Sequence, residues 1–164
     1  MSADLTWLVG QEISEVKKLD HSWFFTLENG GSIATESFWR LLAEDIIFVT
    51  SDDDGHIFGL PKPVDATERL IKTIQGQKIS RFLVVEFTCD LLLYFSNGAQ
   101  IHFLNTSCGY ESWRICFKTQ QVICMGGSPA KFQRLRRPTR DPRKNRHRLN
   151  WSWLGWKPSS EIRR

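Results

Sequence analysis

The chain contains two copies of one pattern. Gly10-Gln11-Glu12-Ile13-Ser14 recurs as Gly76-Gln77-Lys78-Ile79-Ser80. Asn29-Gly30 with Ile33 recurs as Asn97-Gly98 with Ile101, and Glu36-Ser37-Phe38-Trp39-Arg40 recurs as Glu111-Ser112-Trp113-Arg114. The offsets are 66, 68 and 74 residues in that order, so the second copy gains residues only between motifs. Three matches in one order mark an internal duplication, and a duplicated unit that cannot bury its apolar face alone must pack on its twin. The expected arrangement is a pseudo-twofold one in which Trp39 and Trp113 occupy equivalent places.

Each copy reads as short strands. In the first, Ile13 to Leu19 opens the pattern and Ser22 to Leu27 runs into Glu28-Asn29-Gly30-Gly31. Asn and Gly accept the positive φ of a hairpin turn. Ser32 to Thr35 leaves that turn, and Trp39 to Val49 is apolar at nearly every position, either all strand or a helical turn followed by strand. In the second copy, Lys78 to Phe87, Leu91 to Phe95, Gln100 to Leu104, Ser112 to Phe117 and Gln121 to Met125 repeat the plan around the turn at Asn97-Gly98. Strands this short, at regular spacing and joined by Asn-Gly turns, define an antiparallel, mainly β protein. An α+β description also fits, and closure as a barrel or as two facing half-sheets stays open.

One helix joins the copies. Pro61 and Pro63 break what precedes it, Asp65 can cap it with Glu68 three residues on, and Leu70, Ile71 and Ile74 form an apolar stripe. The expected span is about residues 65–74 within a linker of 61–75, between repeat one at 8–50 and repeat two at 76–125. The duplicated domain ends near residue 127. Ser128 and Pro129 can start a short helix to about Arg137.

Charge divides the chain at the same place. Residues 128–164 carry twelve Lys or Arg and two acids, a balance of +10. Of the 22 bases and 18 acids in the whole chain, ten and sixteen remain in residues 1–127, a balance of −6. An acidic body with a basic tail is a different object from a uniformly basic protein. The tail residues Arg134, Arg136, Arg137, Arg140, Arg143, Lys144, Arg146 and Arg148 suit phosphates. Trp151, Trp153 and Trp156 suit stacking on unpaired bases. The same residues suit an acidic protein partner, an anionic membrane surface, or the chain's own acidic body.

No basic segment followed by an apolar run opens the chain, so no signal peptide is expected. No stretch approaches the roughly 18 apolar residues of a membrane span. Four cysteines without a secretory signal point to free thiols and a cytoplasmic location.

Thr88-Cys89-Asp90-Leu91, Phe95-Ser96-Asn97-Gly98 and Gly109-Tyr110-Glu111-Ser112-Trp113-Arg114 carry a resemblance. The chain is similar over about residues 8–118 to a family of small uncharacterised bacterial proteins. Its marks are a Thr-x-Asp-Leu strand start, a Phe-x-x-Gly turn and a Tyr-Glu-x-Trp strand. Small proteins of this kind include immunity proteins encoded beside toxins. The resemblance therefore implies a bacterial accessory or immunity-like protein that acts through protein–protein contacts.

Candidate chemistry is sparse. Glu36 and Glu111 precede the repeated Trp-Arg pair and suit either an acid/base pair or ion pairs with Arg40 and Arg114 that fix the tryptophans. Asp90 is a third carboxylate for an enzymatic reading. Asp52-Asp53-Asp54-Gly55-His56 lacks the spacing and terminal Glu of a calcium loop and reads as a solvated acidic turn. Cys108, Cys116 and Cys124 recur every eight residues, with Cys89 upstream, but no Cys-x-x-Cys pair suggests zinc and buried thiols are expected. His21, His56 and His102 have no sequence partner for nucleophilic catalysis. The sequence thus points to a non-enzymatic macromolecule-binding protein with no catalytic residues, metal or cofactor. Binding to nucleic acid through the tail and a carboxylate enzyme are the alternatives.

Overall fold

The computed structural model describes residues 4–125 and, as backbone alone, residues 131–134. The first copy supplies β1 (Ile13–Leu19), β2 (Ser22–Leu27), β3 (Ser32–Thr35), β4 (Trp39–Ala43) and β5 (Ile46–Thr50). The linker supplies α1 (Ala66–Ile74). The second copy supplies β6 (Ile79–Val84), β7 (Leu91–Phe95), β8 (Gln100–Phe103), β9 (Glu111–Phe117) and β10 (Gln120–Met125), and β11 (Lys131–Arg134) follows.

Two antiparallel sheets form, in the orders β1-β2-β3-β9-β10-β11 and β5-β4-β8-β7-β6. The protein is therefore a two-sheet β structure and no closed barrel forms among the described residues. Neither sheet belongs to one copy. Strands β1 to β3 of the first copy continue into β9 and β10 of the second, while β6 to β8 of the second continue into β4 and β5 of the first. The half-sheets are exchanged across a pseudo-twofold axis.

The register obeys that symmetry. Thr35 pairs with Trp113 and Ile33 with Ile115 where β3 meets β9. The equivalent junction of β8 with β4 pairs Phe103 with Trp39 and Ile101 with Leu41. Positions 33 and 35 shift by 68 and positions 39 and 41 by 74, matching the sequence offsets. Even the strand irregularities repeat, with a register shift after Ile13 in β1 and after Ile79 in β6. The Asn-Gly turns repeat as well: the Gly31 amide donates to Asn29 Oδ1 at 2.9 Å and the Ala99 amide to Asn97 Oδ1 at 3.1 Å. Gly30 and Gly98, at φ +80° and +86°, hold the left-handed conformation that Cβ-bearing residues resist.

Alternation sends one face of each strand into a shared core. Trp23, Phe25 and Leu27 of β2 are buried there, as are Leu91, Leu93 and Phe95 at the equivalent places of β7. Trp39 and Trp113 are fully buried between the sheets. Each large side chain so buried contributes about 1.5–3 kcal/mol. The helix α1 starts where its cap predicts, with the Glu68 amide donating to Asp65 Oδ1 at 2.8 Å, and it buries Ala66, Leu70 and Ile74 against β1 and β5. The first copy has only a 3-10 turn in that place, Thr6–Leu8, in which Leu8 takes the role of Ile74.

Two expectations are settled differently. Residues 131–134 are strand, where a short helix to about Arg137 was expected. Gln120 to Ile123 of β10 pair with Arg134 to Lys131, and the backbone hydrogen bonding gained along that edge overrides the local Ser-Pro start signal. The sheet therefore runs past residue 127. The apolar run from Trp39 to Val49 is a hairpin, turned by Glu44 and Asp45 at φ +52° and +60°. Glu resists that conformation and Gly takes it more readily than Asp, so Glu44→Asn with Asp45→Gly stabilises the protein by about 1 kcal/mol in urea unfolding. A neutral or destabilising result would contradict this turn geometry.

Candidate functional site

The repeated Glu, Trp and Arg residues separate into core and surface. The Trp113 indole donates to the Cys89 carbonyl at 2.7 Å. Cys89 sits at φ +63°, which turns that carbonyl into the core, and the Cys124 thiol also reaches it at 3.4 Å. Asp90 fixes the turn by accepting from the Asn105 amide at 2.7 Å and from Thr88 Oγ1 at 2.9 Å. The Thr-x-Asp-Leu motif is thus a backbone cradle for the second tryptophan. Trp39 packs edge-on against Trp23 and Phe25, and its buried Nε1 has no hydrogen-bond partner among the described residues.

Glu36 and Glu111 line one groove. It lies on the outer face of the six-stranded sheet and encloses about 240 Å³. Phe24, Ala34, Leu19 and Cys116 give it apolar surface. Ser112 is the extra residue of a bulge in β9, which swings Glu111 onto the Arg114 side of the strand. Arg114 then grips Glu111 with two hydrogen bonds of 2.8 and 2.7 Å. Glu36 accepts from Ser22 Oγ at 3.3 Å and does not pair with Arg40. Glu15 at the rim pairs with Lys17 at 2.8 Å.

Arg40 lies on the outer face of the other sheet, where its Nε donates to His102 Nδ1 at 3.3 Å. His102 Nε2 is 3.0 Å from Gln100 Oε1, and Gln100 Nε2 donates to Asp45 Oδ1 at 3.3 Å. Burial, and then the charge of Arg40, hold the His102 pKa below its ordinary 6.5, with Asp90 opposing. The unfolded chain takes up this proton first as pH falls. His102 therefore costs no stability above about pH 6.5, and the protein loses stability below it. His102→Gln should flatten the acid side of the stability profile in urea unfolding between pH 7.5 and 5. Profiles that stay parallel would contradict this assignment.

The acidic turn is structural. Asp53 and Thr50 cap the 3-10 turn Ser51–Asp53 reciprocally. Asp54 binds Lys18 Nζ at 2.8 Å and the Ala66 amide at 3.0 Å. Burial raises the Asp54 pKa, but these hydrogen bonds and the Lys18 charge outweigh it and leave the carboxyl below its usual value. No cluster of metal-ligating side chains occurs among the described residues. All four cysteines are free thiols, and Cys89 and Cys124 are buried as expected, but Cys116 is half-buried and Cys108 is exposed because it lies in the loop between β8 and β9. Burial pushes the Cys116 and Cys124 thiols up, further reinforced at Cys124 by Cys89.

Among the tail candidates, Arg134 is the last residue of β11. Arg136, Arg137, Arg140, Arg143, Lys144, Arg146, Arg148, Trp151, Trp153 and Trp156 lie outside the described residues.

The surface that sequence reasoning missed is β5. It is an edge strand, hydrogen-bonded only to β4 among the described residues. Ile46, Ile47 and Phe48 are 69%, 52% and 47% exposed, and the loop that follows exposes Ile57, Phe58 and Leu60. Glu44, Asp45 and Asp52 flank this apolar stretch, all exposed. A signal was present in the duplication. Ile46 and Ile47 align with Gln120 and Gln121 of the second copy, so apolar residues stand in one copy where the other carries amides.

No family model, curated protein or solved structure matches the chain.

Proposed function

We propose that this protein works by binding another protein and carries out no chemistry of its own. The observation that supports this reading is the β5 edge, with Ile46 and Ile47 exposed and Phe48 half-exposed under the Arg69 guanidinium, beside the exposed acids Glu44, Asp45 and Asp52. Exposed apolar side chains grouped on a strand edge are a liability unless something covers them. The flanking carboxylates favour a basic partner and speed its approach. An accessory or immunity-like role, as the family resemblance implies, is one form of this reading. Glu111 and Asp90 are engaged in structural hydrogen bonds, which favours the binding reading over a carboxylate enzyme.

The test uses the full chain as bait in lysate from its native cells, beside the double variant Ile46→Lys with Phe48→Glu. A protein retained despite nuclease treatment, and lost about tenfold or more in the variant, supports the reading. Equal retention by both baits would overturn it. Retention of nucleic acid alone, abolished by nuclease, would instead assign binding to the basic tail.

A further inference from the structure

The two copies differ at one edge. In the second copy, β10 has β9 on one side and β11 on the other. In the first copy, the equivalent strand β5 has β4 on one side and no strand on the other among the described residues. The correspondence is residue by residue. Gln120 faces Phe117 as Ile46 faces Ala43, Gln121 faces Cys116 as Ile47 faces Leu42, and Val122 faces Ile115 as Val49 faces Leu41. Opposite Gln120, Gln121 and Val122 on the far side stand Arg134, Gln133 and Phe132. Among the described residues the fold therefore contains one edge that takes an added antiparallel strand and one equivalent edge that does not.

From this pseudo-symmetry we infer that β5 is a strand-addition site for an extended segment of a partner protein. The segment runs antiparallel to β5, with an apolar centre and Lys or Arg at its ends. This inference rests on the protein-binding reading and specifies its mode. Strand addition draws its affinity from main-chain hydrogen bonds and its selectivity from side-chain neighbours. The open run is short. The Thr50 amide already donates to Asp53 Oδ2 at 2.8 Å, so pairing extends over Ile46 to Val49, a stretch as long as the four residues of β11. Phe48 is the extra residue of a bulge between the pairs Leu42–Ile47 and Leu41–Val49. It gives the β5 edge a shape that β10 lacks there. Lys131-Phe132-Gln133-Arg134 has the required pattern of bases around an aromatic residue.

Charge selects against a second copy. Pairing β5 with β5 in antiparallel fashion would bring Glu44, Asp45 and Asp52 of one molecule against those of the other, which like-charge repulsion opposes.

The probe is the blocked peptide Pro-Ala-Lys-Phe-Gln-Arg-Leu-Arg, the sequence of residues 129–136, added to the isotope-labelled full chain. The expected result is slowed amide exchange at Ile46 to Val49, by about tenfold at saturation, with the amides of β7 unchanged. Ile47→Pro and Phe48→Glu, both at exposed positions, should weaken binding about tenfold or more while leaving the circular dichroism spectrum intact. A peptide with Glu in place of each Lys and Arg should bind more weakly. Exchange slowed only along Gln120 to Met125, where the peptide would compete with β11, would overturn the inference. So would equal binding of the acidic peptide, no binding at all, or slowing at Ile46 to Val49 on raising protein concentration without peptide. If the peptide fails but the Ile46→Lys, Phe48→Glu bait still loses its partner, strand addition falls and the protein-binding reading stands. If that bait keeps its partner, the reading itself falls.

Discussion

Trp113→Ala destabilises the protein by about 4 kcal/mol, a large fraction of the 5–15 kcal/mol that holds a domain together. The side chain is fully buried between the sheets, and the residues around it belong to both copies, so no single hairpin can collapse into the gap. The more telling comparison is with Phe. Trp113→Phe removes an indole that donates to Cys89 O at 2.7 Å and leaves that carbonyl with only the weak Cys124 thiol. Its expected cost is about 1–2 kcal/mol above the loss of volume. Trp39→Phe carries no such addition, because the Trp39 Nε1 makes no hydrogen bond among the described residues. The two tryptophans are equivalent by symmetry and unequal by chemistry. Urea unfolding of both Phe variants should place Trp113→Phe lower by about 1–2 kcal/mol. Equal midpoints would mean that the Cys89 carbonyl does not hold the indole.

Asp90→Ala has the second large effect, a loss of about 2–3 kcal/mol, because hydrogen bonds to a carboxylate are stronger than neutral ones. Its two oxygens tie the Asn105 amide and Thr88 Oγ1 together. Asn105 in turn holds the Thr88 carbonyl at 2.8 Å and accepts from Ser112 Oγ. Without Asp90, the left-handed Cys89 loses the side chain that braces its turn, and the cradle for Trp113 loosens. The costs of Asp90→Ala and Trp113→Phe should therefore overlap. A double variant that loses less than the sum of the singles is the expected result of a mutant cycle. Strict additivity would separate the two roles.

Much of this fold was legible because it is local and repeated. The Asn29-Gly30 and Asn97-Gly98 turns, the alternating strands around them and the Asp65 cap are each decided within a few residues. The exchange of half-sheets was not, since the joining pairs, such as Thr35 with Trp113, are distant in the chain and no local pattern records them. Glu44-Asp45 escaped notice because the β4–β5 connection imposes positive φ on residues that do not prefer it. β11 escaped because a Ser-Pro pair suggests a helix until the β10 edge is present to receive a strand. The run of Ile46, Ile47 and Phe48 suggests core, yet its place at a sheet edge leaves it in water. The groove holding Glu36 and Glu111 depends on the β9 bulge at Ser112, which becomes visible only once strands are paired.

The most direct test of the account is hydrogen exchange of the full chain with and without the protein that it captures from native lysate. Slowed exchange concentrated at Ile46 to Val49, extending to residues 56–60, is the result expected if β5 is the binding edge. Unchanged exchange there, with slowing elsewhere on the protein, would contradict it.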